Sequence, residues 1–442
     1  MQILQIILAL SILVLIHELG HFTFARIFGI RIDKFFLFFD AGGVKLFSTR
    51  APWFVRIFPK AANWETEYGI GWLPLGGYCK VNGMIDESMD TEHLKNEPQP
   101  WEFRSKPAWQ RLLVMAGGVL FNFVLGVLLY SFSLYKWGEA YIPAEGNSVY
   151  VYENSLADKM GFESGDMILA LDDKAPKNFY MMQMDIARDM VSTVKVLRGN
   201  DTVTIHIDQK YISDLLNTQL FEPAIPFIVK DFTENTANAD AGLLPGDRIT
   251  AIDSTGIEFT QDAFPILLDK AGQQITATIL RDSSDFSLPL NVDTNGNIGV
   301  YLHMPVIKKV EYTLLQSIPG GLKKTYDATI GQLKDMRLIA KPSTGAYKSV
   351  GSIIAITDAM PQQWNWPAFI NILAMISIIL GVMNLLPIPA LDGGHIVFTL
   401  YEMITGKKPS DKFLYIMQLI GMVIIFGLMF LAFGNDIARL IK

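Results

Sequence analysis

The sequence is poor in cysteine and in charged residues. Cys79 is the only cysteine among 442 residues, which excludes a disulfide framework and a cysteine-rich zinc module. Charged residues make up 18% of the chain and hydrophobic residues 50%, whereas soluble domains carry about 25% charged residues. The net charge of −7 lacks the basic signature of nucleic-acid binding. We therefore expect a membrane protein that has the lipid bilayer, and no nucleic acid, as a partner.

Four apolar runs are long enough to cross a bilayer of about 30 Å, which takes roughly 20 helical residues. They cover residues 3–28, 112–137, 369–391 and 413–433. The first run is not expected to be a cleaved signal peptide, because no charged residue precedes it and it contains ionisable residues. Lys and Arg are frequent between the first two runs and between the last two, which predicts that these two segments are cytoplasmic. The termini and the long middle segment would then lie on the opposite side.

The middle segment contains an internal repeat. A Gly-x-x-x-Gly-Asp turn followed by an alternating strand begins at Gly161 and recurs at Gly242. A spacing of about 80 residues is too long for a solenoid unit and fits two tandem small domains. We predict two β-rich domains at 138–222 and 223–306, and leave open whether they bind peptides or act only as spacers.

An amphipathic helix is expected after the second β-rich domain. Apolar residues recur there at helical spacing, namely at Ile318, Leu322, Tyr326, Ile330 and Leu333. The helix could lie on the membrane surface or pack against the second β-rich domain. The predicted order of segments is 1–30 first span, 31–110 cytoplasmic and re-entrant β region, 111–137 second span, 138–222 and 223–306 β-rich domains, 307–365 helix and linker, 366–395 third span, 396–412 loop and 413–435 fourth span.

The first apolar run contains the pattern His-Glu-x-x-His at residues 17–21. On a helix, His17 and His21 lie on one face, so both imidazoles can bind one metal ion. Glu18 is one residue further and roughly 100° around the helix, where it would reach water beside the metal as a general base. Ionisable residues inside an apolar span are costly and are functional by default. We therefore predict a zinc site in the membrane.

A catalytic zinc site needs a third protein ligand and an open position. Asp392 and His395 are both candidates, at the end of the third apolar run, whereas His93, His206 and His303 have no ligand-like context. Pro387 and Pro389 should break the helix before these candidates. Irregular backbone at membrane depth is tolerated only where it is buried in protein or lines a cavity, as an intramembrane active site requires.

These motifs together resemble the site-2 protease family. The resemblance is carried by the His-Glu-x-x-His motif and by Asn384-x-x-Pro387-x-Pro389-x-Leu391-Asp392-Gly393-Gly394 in a late span. Within the family, four spans with two PDZ domains between the second and third resemble the Gram-negative branch that regulates sigma-E. Leu73-Pro74-Leu75-Gly76-Gly77-Tyr78 resembles the re-entrant β-hairpin of the family, and residues 106–122 resemble the entry to its second span. The segment 44–67 carries no resemblance.

The resemblance implies a fold and an activity. The fold would be a polytopic α-helical membrane protein with four transmembrane helices and two PDZ-like domains between the second and third. The activity would be intramembrane endoproteolysis, with Zn²⁺ held by His17, His21 and Asp392 and with Glu18 as catalytic base.

The substrate contacts implied by the resemblance begin with Asn384 on the substrate backbone. Pro387 and Pro389, together with Gly76 and Gly77 of the hairpin, would also bind substrate. The expected substrates are pre-trimmed single-span proteins of the anti-sigma-factor type, and remnant signal peptides are also plausible. Peptide tails could bind the PDZ-like domains, which would filter substrates by size.

The implied location is the bacterial inner membrane, with periplasmic PDZ-like domains and an active site toward the cytoplasm. Three alternatives remain: a membrane metalloprotease of another branch, a catalytically dead peptide-binding scaffold and a zinc transporter. The tandem β-rich domains count against the first, Glu18 against the second and the presence of only four spans against the third.

Overall fold

The computed structural model describes residues 1–74, 76–84, 97–216, 218–234, 236 and 238–441. Leu75 of the hairpin motif and His93 lie outside the described residues. The chain divides into two compact units. The first unit contains Met1–Gly138, Glu311–Arg337 and Val350–Lys442, and the second contains Glu139–Val310 and Leu338–Ser349.

Within its described residues, the first unit contains four helices that are long and apolar enough to cross a membrane, as the apolar runs predicted. They are α1 (Gln2–Ile27), α3 (Ala108–Trp137), α10 (Trp366–Asn384) and α12 (Asp411–Ile441). The other helices of this unit are α2 (Pro52–Ile57), α8 (Leu314–Ile339), α9 (Ile353–Asp358) and α11 (Asp392–Thr405).

The third predicted span, 366–395, is too long. Helix α10 ends at Asn384, and a separate helix, α11, begins at Asp392. Pro387 and Pro389 account for the break, because neither has an N–H to continue the helical hydrogen bonds. The metal-ligand candidate of this region therefore lies at the start of a new helix.

A four-stranded sheet lies between α1 and α3 in sequence. Its strands are β1 (Ile32–Leu37), β2 (Lys45–Ser48), β3 (Glu67–Gly71) and β4 (Tyr78–Val81), in the order β2-β3-β1-β4. Strand β1 is parallel to β3, and the other pairs are antiparallel. Strand β4 is therefore an edge strand. A Cβ on Gly77, just before β4, would lie 2.6 Å from Val14 Cγ1, so this glycine lets the sheet edge approach α1.

The second unit contains two separate hydrophobic cores. One is built from residues between Ala144 and Phe221, and the other from residues between Phe227 and Ile298. Its helices are α4 (Leu156–Lys159), α5 (Met182–Asp189), α6 (Ile212–Leu215) and α7 (Thr260–Asp269). The first core contains β6 (Val149–Tyr150), β7 (Met167–Leu171), β8 (Thr193–Arg198) and β9 (Asp201–His206). The second contains β11 (Val229–Phe232), β12 (Arg248–Ile252), β13 (Thr255–Gly256), β14 (Gln274–Arg281), β15 (Ser284–Asn291) and β16 (Val300–Leu302).

The remaining strands of this unit connect its parts. They are β5 (Glu139–Tyr141), β10 (Glu222–Pro223) and β17 (Lys308–Val310). Strand β10 pairs with β6, and β17 pairs with β5. Because β17 and residues 338–349 belong to this unit, the predicted helix-and-linker segment 307–365 is not a single element.

The sequence repeat corresponds to a repeated structural element. In each copy the aspartate accepts from the backbone N–H three residues earlier, at 3.0 Å for Asp166 and 2.8 Å for Asp247. An arginine on a later strand then donates to the same carboxylate, Arg198 in the first copy and Arg281 in the second. Both aspartate side chains are buried, and a buried carboxylate requires such partners.

Helix α8 packs against α3, a contact that neither sequence alternative anticipated. A Cβ on Gly321 would lie 2.6 Å from the backbone nitrogen of Ser131 on α3. The apolar residues Ile318, Leu322 and Tyr326 stay exposed. A small residue of α8 therefore makes the close contact at this point, and these three large apolar residues stay outside it.

Candidate metal centre and active site

The His-Glu-x-x-His motif lies on α1 where this helix packs most closely against α3. A Cβ on Gly20 would overlap the carbonyl of Gly117, and one on Gly118 would lie 2.5 Å from His21 Nε2 and 2.6 Å from His17 Cε1. These glycines let the two helix backbones approach closely, as small residues do in membrane helix pairs. The imidazoles therefore lie against the bare backbone of α3.

Asp392 reaches the same place from the other end of the sequence. The segment between α10 and α11 folds back over the first turn of α11, where a Cβ on Gly394 would lie 2.6 Å from Ile388 O. A Cβ on Gly393 would overlap the carbonyl of Leu386. Ala390 adopts a positive φ of 79°. Only residues without side chains fit at 393 and 394, and the tight fold places Asp392 at the N-terminus of α11.

Three side-chain atoms form a nearly equilateral triangle. His17 Nε2 lies 3.3 Å from His21 Nε2, and Asp392 Oδ2 lies 3.4 Å from each of them. Zinc bonds of about 2.0–2.1 Å at tetrahedral angles place ligand atoms roughly 3.3–3.4 Å apart. Asp392 Oδ2 is also buried with no hydrogen-bond donor among the described residues. The three residues therefore fit a tetrahedral metal ion, with a fourth position open.

The other ring nitrogen of each histidine has its own partner. His21 Nδ1 lies 2.9 Å from the carbonyl of Val114, so Nδ1–H donates there and the Nε2 lone pair faces the triangle. His17 Nδ1 lies 3.0 Å from the amide of Asn122, a fully buried residue of α3. The Ser377 hydroxyl on α10 donates to the backbone carbonyl of Asn122 at 2.8 Å. Partners of this kind orient metal-binding imidazoles.

The positions of Val114, Gly118 and Asn122 in this arrangement were missed by the sequence analysis. Gly118 and Asn122 fall within residues 106–122, and the sequence analysis gave neither of them a role at the metal site. Their spacing of four residues on a helix was the available signal, because it puts an amide and a bare backbone on one face of an apolar span. The carbonyl of Val114 left no signal, since every residue has one.

Glu18 and Asn384 border the triangle. Glu18 is half-buried and hydrogen-bonds the backbone of Cys79 on the edge strand β4. Asn384, the last residue of α10, has its amide Nδ2 3.3 Å from His17 Nε2. A cavity of about 460 Å³ opens here, lined by Glu18, both histidines, Asp392 and the residues of β4. The edge strand and the candidate base thus share one cavity.

The remaining predicted site residues occupy neighbouring positions. His395 lines the cavity but is not part of the triangle. Pro389 is buried and Pro387 exposed in the turn before α11. A Cβ on Gly76 would lie 2.7 Å from the ring of Phe39. These two prolines, Gly76 and Gly77 lie outside the cavity lining, so their part in substrate binding stays a prediction.

Comparisons with known proteins identify the family to which the chain belongs. The sequence profile of peptidase family M50 matches residues 5–428. A putative zinc metalloprotease of Vibrio cholerae is 27% identical over 467 residues, which cover 98% of each chain. A regulator of sigma E protease of Haemophilus influenzae is 27% identical over 464 residues, again 98% of each chain. A putative zinc metalloprotease of Borreliella burgdorferi is 28% identical over 457 residues, which cover 100% of this chain and 99% of that one. The match over nearly the whole chain confirms the resemblance read from the motifs: the chain belongs to peptidase family M50, the site-2 proteases, and is a metalloendopeptidase.

Proposed function

We propose that the chain is a zinc-dependent intramembrane endopeptidase of the bacterial inner membrane. Its substrates would be transmembrane segments of single-span proteins that have already been trimmed outside the cytoplasm, such as an anti-sigma factor. Remnant signal peptides form a second plausible class. The observation that carries the proposal is the triangle of His17, His21 and Asp392 beside Glu18, because both histidines and Glu18 belong to a helix apolar enough to span a membrane.

His17, His21 and Asp392 would hold the zinc ion. Asp392 is chosen over His395 because its Oδ2 completes the triangle. When bound, zinc would polarise the scissile carbonyl and make water a stronger nucleophile. Val114 and Asn122 would keep both imidazoles oriented toward the ion.

Glu18 would act as general base and then as general acid. Its carboxylate takes the proton of the attacking water and passes it to the nitrogen of the leaving amine. The backbone of Cys79 fixes the carboxyl at the cavity wall. A fixed position for the base is what proton transfer at hydrogen-bonding distance requires.

Strand β4 would present the substrate to the site. A helical transmembrane segment hides its peptide bonds, so the segment must become extended before it is cut. An extended peptide can pair with the outer side of an edge strand, and among the described strands β4 pairs with β1 alone. Asn384 is placed to hydrogen-bond the backbone of such a peptide.

The sidedness of the molecule follows from its basic segments. Lys and Arg cluster near the ends of the spans that carry the two site motifs, which supports a site toward the cytoplasm. The second unit would then be periplasmic. Its two cores are proposed to be PDZ-like domains that restrict entry to trimmed substrates and bind peptide tails.

The proposal is tested by cleavage of a tagged single-span substrate in proteoliposomes. We expect cutting within the transmembrane segment, loss of cutting with a zinc chelator, and recovery when zinc is added back. Glu18→Gln should lower the rate by roughly 10²–10⁴-fold, whereas Glu145→Gln, the same change at an exposed position of the second unit, should leave it unchanged. Equal rates for wild type and Glu18→Gln with a trimmed natural substrate would refute the proposal.

A further inference from the structure

The segment between β2 and β3 exposes large apolar side chains. Residues 50–64, here called the aromatic insert, contain α2 and a 3-10 turn at Pro59–Asn63. The exposed fractions are 56% for Trp53, 62% for Ile57, 54% for Phe58 and 43% for Trp64. So much exposed apolar surface in a short segment indicates an interaction site.

The exposed rings belong to a packed cluster. Phe54 lies at its centre, with ring centroids 5.4 Å from Phe47, 4.9 Å from Phe58 and 6.4 Å from Trp64. Trp64 also contacts Tyr68 on β3 at 6.1 Å. The insert is therefore a defined apolar surface attached to the sheet.

Contacts at the end of the first span fix the position of the insert. Arg26, in the last turn of α1, forms an ion pair with Glu65. Thr66 donates to the carbonyl of Ile32 at 2.8 Å. Residues directly after the insert are thus held at the end of α1, and the end of a membrane span lies where hydrocarbon gives way to lipid headgroups.

The charges on the insert have one sign. Arg50, Arg56 and Lys60 are its only ionisable residues, and all three are exposed. Arg56 and Lys60 form no ion pair with any described residue. Tryptophan, phenylalanine and isoleucine beside unpaired cations are the composition that binds the interface of an anionic membrane.

We propose that the aromatic insert docks on the bilayer surface. Its rings would lie at the boundary between headgroups and acyl chains, and its cations would contact anionic lipid headgroups. The lipid is preferred over a protein partner because the insert is held beside a membrane span and carries two cations, Arg56 and Lys60, that form no ion pair with a described residue. Docking would anchor the sheet on the side of β2 and β3, and so hold the edge strand β4 at a constant depth relative to Glu18.

The test places a nitroxide label at residue 57 of the full chain in proteoliposomes. Ile57→Cys is made in a Cys79→Ser background, so that only one thiol reacts. Access of oxygen, which concentrates in lipid, is compared with access of a water-soluble nickel complex. Asp201→Cys, at an exposed position of β9, serves as the water reference. Leu128→Cys, 61% exposed within α3, serves as the hydrocarbon reference.

Vesicles of phosphatidylglycerol should place the label between the two references. Arg56→Glu with Lys60→Glu should move it toward water in these vesicles and not in phosphatidylcholine. The matched pair Lys308→Glu with Lys309→Glu on β17 should not move it. The proposal is overturned if the label at residue 57 is as accessible to the nickel complex as the label at residue 201. It is also overturned if both reagents are excluded, as a contact with a second copy would produce, or if charge reversal acts equally in both lipids.

Discussion

Removing the side chain of Asn122 tests how the metal site is oriented. A histidine that binds metal through Nε2 carries its proton on Nδ1, so His17 must donate from Nδ1 to an acceptor. With Nδ2 facing His17 at 3.0 Å, the amide offers a donor, and its own Oδ1 is buried without a hydrogen-bond partner among the described residues. Rotating the amide by 180° turns Oδ1 toward His17, so that His17 Nδ1–H gains an acceptor and Oδ1 gains a donor. We therefore predict that Asn122 Oδ1 accepts from His17 Nδ1–H when the metal is bound.

The expected magnitude follows from the position of the residue. Loss of a hydrogen-bond partner behind a metal-binding histidine costs roughly 10–100-fold in metal affinity, or about 1.4–2.7 kcal/mol. Asn122→Leu keeps the volume and removes the acceptor, so it should show this loss. Asn122→Asp keeps an acceptor at the same place, and the added negative charge near a divalent ion offsets the cost of burying it. It should retain most of the affinity.

The assay is competition for zinc between the purified protein in detergent and a chelator of known affinity. Thermal unfolding of the metal-free proteins is the control for misfolding. If Asn122→Asp loses as much affinity as Asn122→Leu, the amide donates to His17 and the reasoning fails. If neither variant changes affinity, Asn122 does not orient His17.

Three further predictions concern single positions. Gly118→Ala should abolish zinc binding, because its Cβ would lie 2.5 Å from His21 Nε2. Gly427→Ala on α12 is the control, because its Cβ meets no atom within 4 Å, and it should bind zinc normally. Equal zinc affinities of the two variants would contradict this packing. Asp392→Asn should lower zinc affinity far more than His395→Gln in the same competition assay. The reverse order would mean that His395, and not Asp392, is the third zinc ligand. Although burial raises the pKa of Asp247, hydrogen bonds from its arginine partner hold it below the usual value. Its stabilising effect should therefore be complete above about pH 4 and be lost as pH falls further. Hydrogen exchange in β12 should accordingly differ between wild type and Asp247→Asn at pH 6, and this difference should shrink as pH falls below about 4; a difference that does not change with pH would refute it.

Part of the site could be predicted from the sequence, because short motifs determine its local geometry. Residues four apart on a helix share a face whatever the rest of the fold does, so His17 and His21 could be paired from sequence alone. Pro387 and Pro389 predicted a break for an equally local reason. The apolar runs predicted four helices because the hydrocarbon thickness sets their length.

One feature that escaped prediction has a local cause, and the others depend on contacts between distant segments. The end of α10 at Asn384 is set by the residues that follow it, so the apolar run overestimated the length of the third span. The packing of α8 against α3 through Gly321 was missed, because periodicity identified the large apolar residues as the contact face. The partner of His17 Nδ1 lies 105 residues away, and no local pattern encodes that distance.

The glycines at the site explain why the two motifs must occur together. Gly20 and Gly118 bring α1 against α3, and this contact alone would leave the Nε2 atoms of both histidines without the carboxylate that completes the triangle. Gly393 and Gly394 let the turn after α10 fold onto α11, and this fold alone would bury a carboxylate without a donor. Each half is unfavourable in a membrane, since an uncompensated charge or polar group there is costly. Joined, they form a triangle whose dimensions match one divalent ion. A chain with only one of the two glycine pairs should therefore be destabilised by the ligands that it retains.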